Sequence, residues 1–199
     1  MSISLVAALG NPGRDYENSR HNLGWIVADA LVRREKLSWQ RMSRFDAEIA
    51  RWDLAPGHTV WFCKPLLFMN ESGIPVQAFA RFHQIQPASI AAVYDDVAIP
   101  LGRVKVSETG SAGGHNGVAS LLEHLGDGFV RFRLGIGPKE PAEMDLKDFV
   151  LGQLSPSQLQ IIDQNLKTFL QGLDLLLTGG VARAMNLLNR RDQNETEQT

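Results

Sequence analysis

His21 and Asp95 are the two side chains of this sequence best suited to moving a proton. An imidazole titrates near about pH 6.5, so it can accept a proton at neutral pH. His21 stands in Ser19-Arg20-His21-Asn22, just ahead of a helical repeat. A lone histidine there is ordinarily a surface or capping residue. Asp95 changes the balance. It stands at the predicted end of a buried strand, where a carboxylate can fix the tautomer of an imidazole and stabilise its protonated form. No side-chain nucleophile accompanies the pair. The sequence has no G-x-S-x-G turn. Cys63 lies inside an apolar run, the setting of a buried, inert thiol. A His/Asp pair in this context is expected to activate water.

Three asparagines fall at predicted strand-to-helix junctions: Asn11 in Gly10-Asn11-Pro12-Gly13, Asn70 in Phe68-Met69-Asn70-Glu71-Ser72, and Asn116 after Gly114-His115. One such Asn is usually a turn or cap residue. Three together offer donors and acceptors that suit a peptide backbone or a developing oxyanion. The loop Gly110-Ser111-Ala112-Gly113-Gly114 could turn backbone N–H groups toward a phosphate, or let a substrate chain pass close to the backbone. It lacks the G-x-x-x-x-G-K-[ST] pattern of a nucleoside triphosphate site. Gly135-Ile136-Gly137 is too short for a dinucleotide fingerprint. Asp95-Asp96 could hold Mg²⁺ in a phosphoryl-transfer enzyme. A solvated turn explains adjacent carboxylates as well, and Ala98 follows where a third acid would stand. The five histidines show no zinc-ligand spacing. Basic residues pair at Arg103/Lys105 and Arg131/Arg133, each pair on one face of a predicted strand, either solvated or set against phosphates.

Alternating strands and helices must position these residues. The chain has 199 residues, 44% hydrophobic and 21% charged, the profile of a globular domain. The net charge of −2 gives no global attraction for nucleic acid, so such a partner needs a local basic patch. One cysteine excludes an internal disulfide framework and fits a reducing compartment. The N-terminal apolar run has no basic start and ends at a turn, so it reads as a buried strand over 3–9 and not as a signal peptide. No stretch approaches roughly 18 apolar residues, so no membrane span is expected. A helix is predicted from about Asn22 into 33–36, two strands over 45–52 and 58–64, and a helix capped by Ser72. Strands follow over 90–94 and 103–106, a helix from about Asn116 to Leu125, and a strand over 132–136. Ser155-Pro156 opens a long helix, cap then proline, and Val181–Leu188 forms the last. The reading is an α/β fold: one domain over 1–191, a mixed twisted sheet sandwiched between helices, with a disordered polar tail over 192–199.

Taken in order, the motifs resemble the bacterial peptidyl-tRNA hydrolase family. They are Leu9-Gly10-Asn11-Pro12-Gly13, Tyr16, Arg20-His21-Asn22-Leu23-Gly24, Lys64-Pro65 and Phe68-Met69-Asn70-Glu71-Ser72-Gly73. Tyr94-Asp95-Asp96, Gly110 to Gly117, Arg131 to Gly137 and Phe149-Val150-Leu151-Gly152 complete the set, across about residues 3–190. The resemblance implies a single-domain α/β enzyme, cytoplasmic and monomeric, with no metal or organic cofactor. It implies hydrolysis of the ester joining a peptide to the 3′ ribose of tRNA, recycling tRNA dropped by stalled ribosomes. His21 would be the base and Asp95 its orienting partner. Asn11, Tyr16, Met69, Asn70, His115 and Asn116 would form the substrate cleft. Lys105 and Arg133 would meet tRNA phosphates. Three departures stand out. The family often carries His where this chain has Tyr94, a further acid where it has Ala98, and a second basic residue where it has Ser107. An alternative from a different class is a non-catalytic, RNA-linked binding module resembling a chloroplast splicing factor of the same family; the retained His21, Asp95 and three asparagines favour the enzyme.

Overall fold

An uninterrupted apolar run belongs at the centre of a parallel sheet, covered on both faces. Leu5–Ala8 is such a run; it forms β1, with every residue buried. In this computed structural model, which describes residues 2–190, β4 (His58–Pro65) and β5 (Ile90–Pro100) flank β1 in parallel. β3 (Ala47–Ala55) pairs antiparallel with β4, and β2 (Gln40–Met42) antiparallel with β3. On the other side β7 (Val130–Gly137) runs parallel to β5, and β6 (Val104–Ser107) antiparallel to β7. The order is β2-β3-β4-β1-β5-β7-β6, a mixed seven-stranded sheet as expected. The tail expected to be disordered, 192–199, lies outside the described residues.

Alternation along the strands sorts the two faces. Val6, Phe62, Val93 and Phe132 pack beneath α1 (Leu23–Arg34), α5 (Pro156–Gly179) and α6 (Val181–Leu188). Leu5, Ala7, Cys63 and Ala92 pack beneath α2 (Gly73–Phe82) and α3 (Asn116–Leu125). The helix layers therefore lie on opposite faces. Ser155 and Gln158 close the capping box at the start of α5. Close backbone contact fixes where α1 begins. A Cβ at Gly24 would lie 2.4 Å from the Val93 carbonyl oxygen and 2.6 Å from that of Leu9. Only glycine lets the first turn of α1 rest on Leu9, just past β1, and on Val93 within β5, which brings the preceding 3-10 turn, with His21, over the sheet.

Three local expectations change. Ser72 makes no side-chain cap bond, because the 3-10 turn Met69–Glu71 runs straight into α2 and Ser72 is already helical. The Gly73 N–H is instead received by Ser120 Oγ of α3 at 3.0 Å. β5 does not end at the aspartates. It continues through Asp95 and Asp96 to Pro100, with a register shift after Asp96. Two short elements, β2 and α4 (Leu146–Leu151), carry too few residues to show a period.

Candidate active site

His21 reaches the sheet from a 3-10 turn, Arg20–Asn22, that leads into α1. Arg20 ties this turn to the far end of the chain: it donates to the Phe149 carbonyl oxygen at 3.1 Å and to Gln158 Oε1 at 2.9 Å, and lies over the Phe149 ring. Asp95, 2% exposed, rises from the middle of β5. His21 Nδ1 lies 2.9 and 3.1 Å from the two Asp95 oxygens. Sequence spacing could not show that the two meet; the fold brings them together.

His115 completes a network that the sequence did not reveal. It is the N-cap of α3, and its Nδ1 accepts from the Gly117 and Val118 N–H groups at 3.1 and 3.2 Å. That nitrogen is an acceptor, so the ring proton is on Nε2, which donates to Asp95 Oδ1 at 3.1 Å. Asp95 also accepts from His21, so the His21 proton is on Nδ1. The His21 Nε2 lone pair is then free to take a proton. The two imidazoles lie 4.6 Å apart, centroid to centroid. Burial alone would raise the Asp95 carboxyl; attraction to His21, then to His115, together with their hydrogen bonds, outweighs it and holds the group well below the ordinary carboxylate range. His21, Asp95 and His115 also place one potential ligand atom each within 4.8 Å of one another, a grouping that could hold a metal ion. No sequence spacing marks it, because the three residues come from three different elements.

Asn11 and Asn22 are clasped together. The Asn11 N–H donates to Asn22 Oδ1 at 2.8 Å, and Asn22 Nδ2 returns to the Asn11 carbonyl oxygen at 3.0 Å. Asn11 Oδ1 accepts the Met69 N–H at 2.8 Å. The Asn11 carboxamide is therefore oriented, with its Nδ2 left to donate. Asn22 escaped notice in the sequence, where it read only as the start of a helix; its place beside His21 was the available signal.

One cleft of about 730 Å³ gathers Asn11, Tyr16, His21, Met69, Asn70, Asp95, His115 and Asn116. Of the two expected phosphate contacts, Arg133 lines this cleft and Lys105 does not; Lys105 is exposed and opposes Arg133 across β6 and β7. Arg131 is neither solvated nor free for a phosphate. It is 1% exposed and donates to the carbonyl oxygens of Gly110, Glu108 and Phe129, fastening the glycine-rich loop from beneath. Burial pushes the Cys63 thiol up to about 12, in line with an inert core cysteine, and the Tyr94 hydroxyl likewise to about 12.

Known proteins resemble the chain over nearly its whole length. A sequence model of the family described as peptidyl-tRNA hydrolase matches residues 5–197. The chain is 38% identical over 192 residues to a peptidyl-tRNA hydrolase of Gloeobacter violaceus, covering 96% of each chain. It is 41% identical over 193 residues to one from Synechocystis sp., covering 96% of this chain and 98% of the other. A solved peptidyl-tRNA hydrolase from Acinetobacter baumannii superimposes with a TM-score of 0.86 at 32% identity, covering 96% of both chains.

Proposed function

The chain belongs to the peptidyl-tRNA hydrolase family, and from that premise we propose that it hydrolyses the ester between a peptide and the 3′ end of tRNA with water activated by His21. The observation that carries the mechanism is the His21–Asp95–His115 network, which occupies His21 Nδ1 and leaves the Nε2 lone pair of this cleft-lining residue uncommitted. Water bound at Nε2 gives up a proton to it as its oxygen attacks the ester carbonyl carbon. The His21 imidazolium is stabilised by the Asp95 carboxylate. The carbonyl oxygen becomes an oxyanion, which carboxamide donors such as Asn11 Nδ2 stabilise. Collapse breaks the bond to the ribose oxygen, and that oxygen takes the proton from His21. The products are tRNA with a free hydroxyl and a peptide carboxylic acid, which releases its remaining proton to solvent as the carboxylate. An aminoacyl ester is already activated, so a positioned water, a base and an oxyanion donor are sufficient.

Asn70 and Asn116 hold the peptide backbone, with Tyr16 and Met69 as cleft walls. Lys105 and Arg133 hold tRNA phosphates. Requiring both a blocked peptide and a tRNA arm spares other esters. In this scheme the enzyme acts as a monomer, since one chain supplies every group, and in the cytoplasm, where stalled ribosomes release its substrate. Among the described residues no helix is long and apolar enough to cross a membrane.

The test is incubation of the purified protein with N-acetyl-aminoacyl-tRNA and with unblocked aminoacyl-tRNA, each with and without EDTA. Rapid release from the blocked substrate alone, unaffected by EDTA, supports the scheme. No release points to a non-catalytic RNA-binding module, and loss of activity in EDTA points to a metal ion at His21, Asp95 and His115.

A further inference from the structure

Two arginines line the cleft, and one of them is already committed. Arg131 is 1% exposed, with its Nη groups on backbone carbonyls. Arg133 is the cleft arginine open to a ligand, with 29% of its side chain exposed. Yet Arg133 has an anion beside it. Its Nε donates to Asp96 Oδ2 at 2.8 Å, and Asp96 is itself only 16% exposed. The carboxylate is fastened from its other side, since Asp96 Oδ1 accepts the Ala98 N–H at 2.8 Å, just where β5 loses register with β7. The ion pair sits within the same cleft as Asp95, because Asp96 also lines it.

We propose that Asp96 is an internal competitor for the tRNA phosphate that Arg133 meets. The inference rests on the hydrolase reading above and adds to it a residue that sets affinity for tRNA. The contact with Asp96 uses Nε of the guanidinium, whereas a phosphate can engage two N–H groups in a fork. A phosphate delivered by a tRNA that other residues already hold can displace Asp96. A stray small anion, with no such help, competes poorly. Because Asp96 is tied to Ala98, it stays behind when Arg133 turns to the phosphate, and it repels that phosphate. The pair thus makes tRNA binding weaker and more selective than a free arginine would. It also favours departure of the tRNA product.

Asp96→Asn tests this, since the carboxamide keeps an oxygen for the Ala98 N–H while the charge and the acceptor that holds Arg133 Nε are both lost. Binding of fluorescently labelled deacylated tRNA is measured by anisotropy for wild type, Asp96→Asn, Arg133→Met and the double variant, over a range of salt. The expected result is a Kd about 2- to 5-fold lower in Asp96→Asn, the weight of a partly exposed ion pair. That gain should vanish in the Arg133→Met background, and the salt dependence should be steeper with Asn at 96. A Kd equal to or above that of wild type overturns the proposal. So does an equal gain without Arg133, which would mark a general effect of removing negative charge. Hydrolysis of N-acetyl-aminoacyl-tRNA by the same wild-type preparation separates the two readings: activity with no change in Kd refutes the competitor alone, and no activity refutes the hydrolase.

Discussion

Replacing Asp95 by Asn removes a charge while keeping the shape of a residue that touches both imidazoles. Asp95 Oδ1 accepts from His21 at 2.9 Å and from His115 at 3.1 Å, so an Asn oxygen placed there can still receive both protons. The Asn Nδ2 then falls where Oδ2 lies 3.1 Å from His21 Nδ1. A donor facing a donor favours the other His21 tautomer, which puts the proton on Nε2 and blocks the base. The charge is lost as well. Opposite unit charges about 4 Å apart attract by about 4 kcal/mol at an effective dielectric of about 20. That stabilisation exists only once His21 is protonated, so its loss falls on kcat. At about 1.4 kcal/mol per decade, kcat should drop by roughly 10²- to 10³-fold with KM nearly unchanged. The assay is steady-state hydrolysis of N-acetyl-aminoacyl-tRNA, with thermal unfolding as a control for folding. Stability also carries a sign. The folded Asp95 carboxyl lies below its unfolded range of about 4, so the ionised group stabilises the fold above that pH, and this contribution fades as pH falls from about 4 toward the folded value. The stability gap between wild type and Asp95→Asn should shrink in that acid window. Retention of kcat within about 5-fold of wild type would refute the role given to Asp95.

Lys105→Ala should raise KM for peptidyl-tRNA, most clearly at low salt, reduce the salt slope by about 1 and spare kcat; an unchanged KM and slope would leave Lys105 as a solvated strand residue. Gly24→Ala should lower the melting temperature or prevent folding, because its Cβ would meet the Val93 and Leu9 carbonyls, and overpacking of this kind costs about 1–3 kcal/mol or more. Wild-type stability in that variant would show that α1 can shift without harm. Cys63 should resist a thiol-alkylating reagent at pH 8 in the folded protein and react on unfolding, since burial pushes its thiol up to about 12.

The sequence made some of this legible and hid the rest for physical reasons. The run Leu5–Ala8 reads as a central strand because parallel strands are apolar on both faces. Ser155-Pro156 reads as a helix start because cap and first-turn chemistry are local. The three asparagines were visible for the same reason, as polar residues at junctions. The meeting of His21 with Asp95 was not, because it depends on α1 resting on β1 and β5, a tertiary contact that Gly24 permits. Asp95 reads as a strand end because polar residues usually close strands; here β5 carries two aspartates inward, where imidazoles and an arginine partner them. Alternation assigned Arg131 to a face but could not give its depth, so its burial against the glycine-rich loop was invisible. His115 carries both a cap and an aspartate contact, and neither role has a spacing rule.

The central claim is that His21 takes the proton from the attacking water. The most direct measurement is kcat for His21→Ala on N-acetyl-aminoacyl-tRNA, in protein shown by circular dichroism and thermal unfolding to be folded. The expected result is a loss of about 10²- to 10⁴-fold, the usual worth of a general base, with tRNA binding retained. Turnover near that of wild type would contradict it.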